Sequence, residues 1–521
     1  MSVVPRPVFL VPPRLVAATL LAGGSVLNAG LAATETQVRT PAEAMEGTAT
    51  AQTTAQTTAR KTTPTTTPTT ARTQAETRAG RKARLLAPTE DFGAAEPFEA
   101  LQGGSGTNRE RLDRNAFSLP SAALDFERRA DFFIGNGVFD RPWVAAPAST
   151  VSSDGLGPHF NARSCQGCHI KDGRGHPPAP GDANQVSMVF TLSNARGQAD
   201  PVLGRQLQDQ AVTGLPAEGK VRLAYDPLPF TYPDGTVTEL RRPRYATDAP
   251  LAPGTSPNPR IAPPMIGLGL VEAVAEADLL ANADPRDADG DGVSGRAGWL
   301  PDGRMGRFGW KATAASILEQ SATAFAVDIG LSTRLLPEPW GDCSAAQTDC
   351  REAFHGDVDG APEIDDALLD LVTFYSANLA VPARRDHDDT EVLAGKRLFY
   401  EAECTACHVP KFATAADAAP EQRNQLIWPY SDFLLHDLGP GLADANPTGE
   451  RSGAEWRTPP LWGIGLTDTV SGHTFFLHDG RARSLEEAIL WHGGEGAASR
   501  DRFARLPIAE RARLIRFLES L

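Results

Sequence analysis

The sequence predicts a mainly α chain in two modules, with long loops and minor β insertions. Three observations carry that expectation. A Cys-x-x-Cys-His motif occurs twice, as Cys165-Gln166-Gly167-Cys168-His169 and Cys404-Thr405-Ala406-Cys407-His408. Each motif is followed by a segment with apolar residues at helical spacing, residues 364–379 and 508–521. Between the motifs, residues 225–264 are rich in proline and read as long loops with short strands.

In chain order, residues 1–33 read as an export signal. Arg6 and Arg14 supply the positive start, 15–33 are apolar, and Gly30-Leu31-Ala32 is a small-x-small cleavage site. An uncleaved anchor is the alternative. No later run approaches the ~18 apolar residues of a membrane span, so no span is expected in the mature chain. Residues 34–85 are Thr/Ala-rich, with Thr65-Thr66-Thr67-Pro68 typical, and cannot bury enough apolar surface to order themselves; they read as a disordered linker. The first module is then 86–385, closed by the 364–379 helix, with Leu368, Leu371, Val372, Tyr375 and Leu379 on one face and Pro382 beyond it. The second is 386–521, closed by Leu514, Ile515, Phe517, Leu518 and Leu521.

Composition is that of a globular protein, 41% hydrophobic and 22% charged over 521 residues. The net charge of −15 argues against nucleic acid as a partner. The first 85 residues hold ten Lys and Arg against four Asp and Glu, so the acidity belongs to the folded body. An acidic body suits a cationic partner, and equally an evenly solvated surface.

The motifs carry the chemistry. Two thiols two residues apart on one turn can form thioethers to the vinyl groups of a haem, and the adjacent His points at the iron. A thioredoxin-like redox pair wants a βαβ context, which is missing. Zinc wants its two Cys pairs close together, and these are far apart in the chain. Two covalently bound c-type haems follow, with His169 and His408 as proximal ligands. Cys343 and Cys350 remain; in an exported chain they pair as a disulfide or stay as a reactive pair.

Residues 392–399, Val-Leu-Ala-Gly-Lys-Arg-Leu-Phe, resemble the cytochrome c helix that crosses the C-terminal helix, and the resemblance spans the second module. Residues 125–521 as a whole resemble the bacterial di-haem cytochrome c peroxidase superfamily, within it the di-haem oxidoreductases sometimes called thiol oxidoreductases. Phe308-Gly309-Trp310-Lys311-Ala312 is similar to a peroxidase phrase whose Trp sits between the haems, and Gln320 stands ten residues on, as the family's peroxide-pocket Gln does. The family's acid ten residues further is Gly330 here, so Asp328 is the candidate in its place. Trp456-Arg457-Thr458-Pro459 and Phe476-Leu477-His478-Asp479-Gly480 match two further blocks. After Ser484-Leu485-Glu486-Glu487-Ala488-Ile489, the family's distal ligand of the C-terminal haem falls on His492.

The resemblance implies two cytochrome c-like haem domains and a periplasmic oxidoreductase. Peroxide would be reduced at the first haem, with electrons from a small redox protein such as a cytochrome c entering at the second. Trp310, Gln320 and Asp328 are the implied catalytic set. No His lies where several peroxidases place a removable ligand of the first haem; Met188 is the nearest candidate. His478 reads as a bridging residue between modules, and His159, His176, His355, His387, His436 and His473 as solvated or supporting. Asp287, Asp289 and Asp291 have calcium-loop spacing, with Gly298 where the loop wants its Glu. Two rival functions stay open: a peroxide-driven high-valent oxidase of a protein or organic substrate, and a non-catalytic di-haem electron carrier.

Overall fold

The computed structural model describes residues 82–83, 85–179, 187–357 and 360–521. The export-signal reading, and nearly all of the linker reading, lie outside the described residues. Helix makes up 29% and strand 16%, which corrects the mainly α, cytochrome c-like expectation. The chain is a mixed α and β assembly in which irregular segments exceed both. The reason lies in the composition: 48 glycines and 42 prolines interrupt helices throughout.

The elements that position the site come in this order. Helix α1 is Phe126–Phe139, strand β1 Met188–Ser193, and strands β2 and β3 Val221–Thr231 and Val237–Thr247. Strand β4 is Ser256–Ile261, α2 Ile317–Ala324, α3 Asp366–Ala377 and α4 Thr390–Glu401. Helices α5, Leu485–Leu490, and α6, Ile508–Ser520, follow. Helices α3 and α6 are those the apolar spacing predicts.

Caps start the helices. Asp125 accepts from the Arg128 N–H ahead of α1, Asp365 from Leu368 ahead of α3, and Asp389 from Glu391 and Val392 ahead of α4. Each such cap is worth about 1 kcal/mol. Helices α1 and α3 cross at Gly135, where a Cβ would strike the Leu371 carbonyl and the Tyr375 side chain. Helices α4 and α6 cross at Gly395 in the same manner, against the Arg513 carbonyl and Phe517.

The Pro-rich stretch holds the largest β element, an antiparallel ribbon of two eleven-residue strands running from the Val221–Thr247 pair to the Thr231–Val237 pair. This corrects the expectation of short strands. Pro227, Pro229 and Pro243 lack a donor, but both strands are edges, so the missing N–H groups break no sheet interior. Tyr232 and Leu240 pack into the core under α6, with Phe399, Trp428 and Phe503. Val221 and Tyr245 pack with Met188, Phe190 and Trp310. Strands β1 and β4 pair antiparallel from Met188–Ile261 to Ser193–Ser256. No helix among the described residues is long and apolar enough to cross a membrane.

Candidate functional site

The first motif forms one helical turn, Cys165–Cys168, capped by the Ser164 hydroxyl, which accepts from the Gly167 N–H. The turn ends at His169. Its Nδ1 lies 2.8 Å from the Pro263 carbonyl, which can only accept, so Nδ1 carries the proton and Nε2 a lone pair. Burial pushes the His169 pKa down to about 4, which keeps the ring neutral and ready to ligate. The two thiols lie close to Asp328: burial first, then that carboxylate, raises the Cys165 pKa to about 12 and that of Cys168 well above its ordinary value.

The second motif, a 3-10 turn over Cys404–Ala406 without a side-chain cap, repeats the hold on the imidazole. His408 donates Nδ1–H to the Tyr430 carbonyl at 2.8 Å, and burial lowers its pKa to about 4. His492 follows α5 and donates Nδ1–H to the Ala488 carbonyl, also at 2.8 Å; burial lowers its pKa as well. His408, His492, Cys404 and Cys407 all line one cavity with about 1330 Å³ of empty space, part of it open to solvent. Its wall is mostly apolar, with Phe399, Leu442, Leu461, Phe476 and Leu514. The Trp456 indole N–H, buried on the same wall, has no partner among the described residues. Paired thiols, imidazoles with an Nε2 lone pair, an apolar slot and a spare donor fit a haem.

Trp310 also lines this cavity, and its indole N–H donates to the Ile261 carbonyl at 2.9 Å. Residues 261–263, at the end of β4, therefore hold both Trp310 and His169. His478 sits between two indoles: its ring stacks on Trp456 at 3.7 Å and meets Trp310 edge-on at 6.5 Å. On Trp456 lies the Lys311 ammonium, 3.6 Å from the ring centre. Gln320 is on α2, one turn inside its N-cap Ser316, and near Gly309. Asp328 is half-buried and accepts from the Gln206 side-chain amide at 2.6 Å; its partial burial pushes its pKa up to about 6. Met188 is buried in the same cluster as Trp310.

Gln206, which sequence reasoning missed, also donates to Asn161 at 2.8 Å. It lies 122 residues from Asp328 in the chain, and no local spacing signals the pair. His436 was expected to be solvated or supporting; it is buried and clamped between Asp432 at 2.7 Å and Glu495 at 2.6 Å, 3.5 Å from the Cys407 sulfur. Burial opposes its charge, yet the Asp432 and Glu495 carboxylates hold its pKa well above the ordinary range. In the acidic loop, the carboxylates brought together are Asp284, Asp287 and Asp289. Asp291 instead accepts from the Val293 N–H. Cys343 and Cys350 are joined in a disulfide, with Cα atoms 6.2 Å apart.

A family model described as "Di-haem oxidoreductase, putative peroxidase" matches residues 100–194 and 202–521. No curated protein matches the chain by sequence. Among solved structures, a hydrazine synthase of Kuenenia stuttgartiensis, pressurised with xenon, is similar at 16% identity. It covers 49% of this chain and 88% of its own, with a TM-score of 0.21, too low to carry an argument.

Proposed function

We propose, for a chain that belongs to the di-haem oxidoreductase family, that it is an exported peroxidase holding two covalent haems. The haems are bound through Cys165 and Cys168 with His169, and through Cys404 and Cys407 with His408. The observation that carries this reading is the shared tautomer of His169, His408 and His492. All three spend Nδ1–H on a backbone carbonyl and keep Nε2 for a metal.

Haem supplies the electron-transfer and peroxide chemistry when bound. The chain's own residues divide the work. His492 faces the same cavity as His408 and gives the second centre two fixed imidazoles, which suits electron transfer. Asp328, with a pKa of about 6 beside the first motif, can take up and give out a proton close to neutral pH, as peroxide cleavage requires. Gln206 fixes that carboxyl, and Gln320 is assigned to orient peroxide. Trp310, tied to the His169 segment yet lining the second cavity, is the bridge between centres. Electrons come from a small donor protein in the periplasm.

The resting ferric protein should show one high-spin and one low-spin haem, and peroxide should perturb the high-spin one. His492→Ala should turn the low-spin signal high-spin and leave the other unchanged. Gln320→Ala should keep both spectra and lose peroxide turnover. Two low-spin haems with no response to peroxide in any redox state would replace this reading by that of an electron carrier.

A further inference from the structure

Arg174 belongs to the first motif by sequence, five residues beyond His169, yet it lines the cavity of His408 and His492. Its backbone is held on both sides by the 471–473 loop. The Arg174 N–H donates to the Ser471 hydroxyl at 3.0 Å, and His473 Nε2 donates to the Arg174 carbonyl at 3.0 Å. Arg174 is 7% exposed, and its guanidinium stands 5.8 Å from the ring centres of both Trp310 and Phe476.

Its Nε and Nη1 are buried without any partner among the described residues. The two other arginines on the cavity wall are satisfied. Arg457 donates to the Gly309 and Thr458 carbonyls, and Arg500 to Asp501 and the His492 carbonyl. Burial lowers the Arg174 pKa to about 10 with no carboxylate among the described residues to offset it, so the group stays charged at neutral pH. A buried, unpaired cation is strongly unfavourable, and it persists where an anion arrives to pair with it. Guanidinium donors match a carboxylate in fork geometry.

We infer that Arg174 is a carboxylate-binding site, taking a propionate carboxylate of the haem attached at Cys404 and Cys407. One motif's loop thus anchors the other motif's cofactor. The inference rests on the haem reading above, though not on its peroxide chemistry.

The test uses the full chain with both haems attached. Arg174→Gln should lower the midpoint potential of the haem whose spin state His492→Ala changes, because an uncompensated carboxylate favours ferric iron. Arg174→Lys, which keeps the charge, should retain most of the wild-type value. Loss of that haem alone in Arg174→Gln would also support the site. Unchanged potentials in Arg174→Gln would overturn it. Formate added to the wild type should leave the bands and potential of that low-spin haem unchanged, because the donors are already taken; a formate-dependent shift of that haem itself, as distinct from the open high-spin one, would show an exchangeable free anion and overturn the assignment. A wild-type protein with no haem at Cys404 and Cys407 would instead sink the functional proposal itself.

Discussion

Around the first motif, Gly135 lets α1 press on α3; around the second, Gly395 lets α4 press on α6. One turn further, Phe139 and Phe399 each stand 6.2 Å from the motif histidine ring. Each is also 5.2 Å from a ring of the closing helix, Tyr375 or Phe517, at the same 49° tilt. The polar groups then diverge. The Tyr375 hydroxyl donates to Asp172 at 2.7 Å, and Asp328 lies beside the first thiols. At the second motif, Lys411 replaces Asp172 in the count from His and pairs with Glu96, while His492 enters the cavity. The helix crossing and the carbonyl-held imidazole are a mount used twice. What each mount does is decided by the groups placed around it.

The hardest way to break this comparison is to remove one mount's attachment. Replacing Cys404 and Cys407 together by Ser should halve the pyridine haemochrome signal, from two haems per chain to one. The Cys165 and Cys168 pair should remove the other half. A double variant that keeps both haems would end the covalent assignment.

The crossings give a sharper, smaller test. Gly395→Ala and Gly135→Ala should each cost about 3 kcal/mol in chemical denaturation, the upper part of the overpacking range, because the new Cβ meets a backbone carbonyl that has no rotamer to change. Similar losses at the two sites would strengthen the equivalence. A neutral outcome at either would show that its crossing is looser than its twin.

The smallest effect concerns the groups that differ. Burial raises the folded-state pKa of Asp328 to about 6, above its ordinary 3.8. Between those values the native state binds more protons than the unfolded chain, so Asp328 costs stability as pH rises from about 4 to 6, by roughly 2–3 kcal/mol in all. Asp328→Asn should remove that slope from the stability–pH curve, and should also remove an inflection near pH 6 from peroxide turnover. An unaltered slope would mean the carboxyl titrates normally.

Much of the mount was legible in the sequence. The motifs, the closing helices α3 and α6, and the Gly and Phe of α4 all lie in local patterns of period 3.6 or fixed spacing. The β2–β3 ribbon was not, because proline reads as a breaker unless one knows that both strands are edges. Nor were Gln206, Arg174 and His436 as members of the sites. Except for Asp432, four residues before His436, their partners are remote in sequence, and a buried polar contact leaves no periodic trace. The acidic loop shows a third kind of miss: the spacing selected Asp291, while backbone geometry turned it toward Val293 and brought in Asp284.

The short run after β4 has a consequence for transplantation. The Ile261 carbonyl receives the Trp310 indole, and the Pro263 carbonyl receives His169. Two residues of separation place both acceptors on one piece of backbone, itself registered against β1 through the Met188–Ile261 pair. The five residues of the first motif are therefore not a portable cassette. A graft of 165–169 into another scaffold would carry the thiols and lose the imidazole's orientation. The smallest transferable unit includes 188–193 and 256–263 as well, and slipping that strand pair by one residue would misplace Trp310 and His169 together.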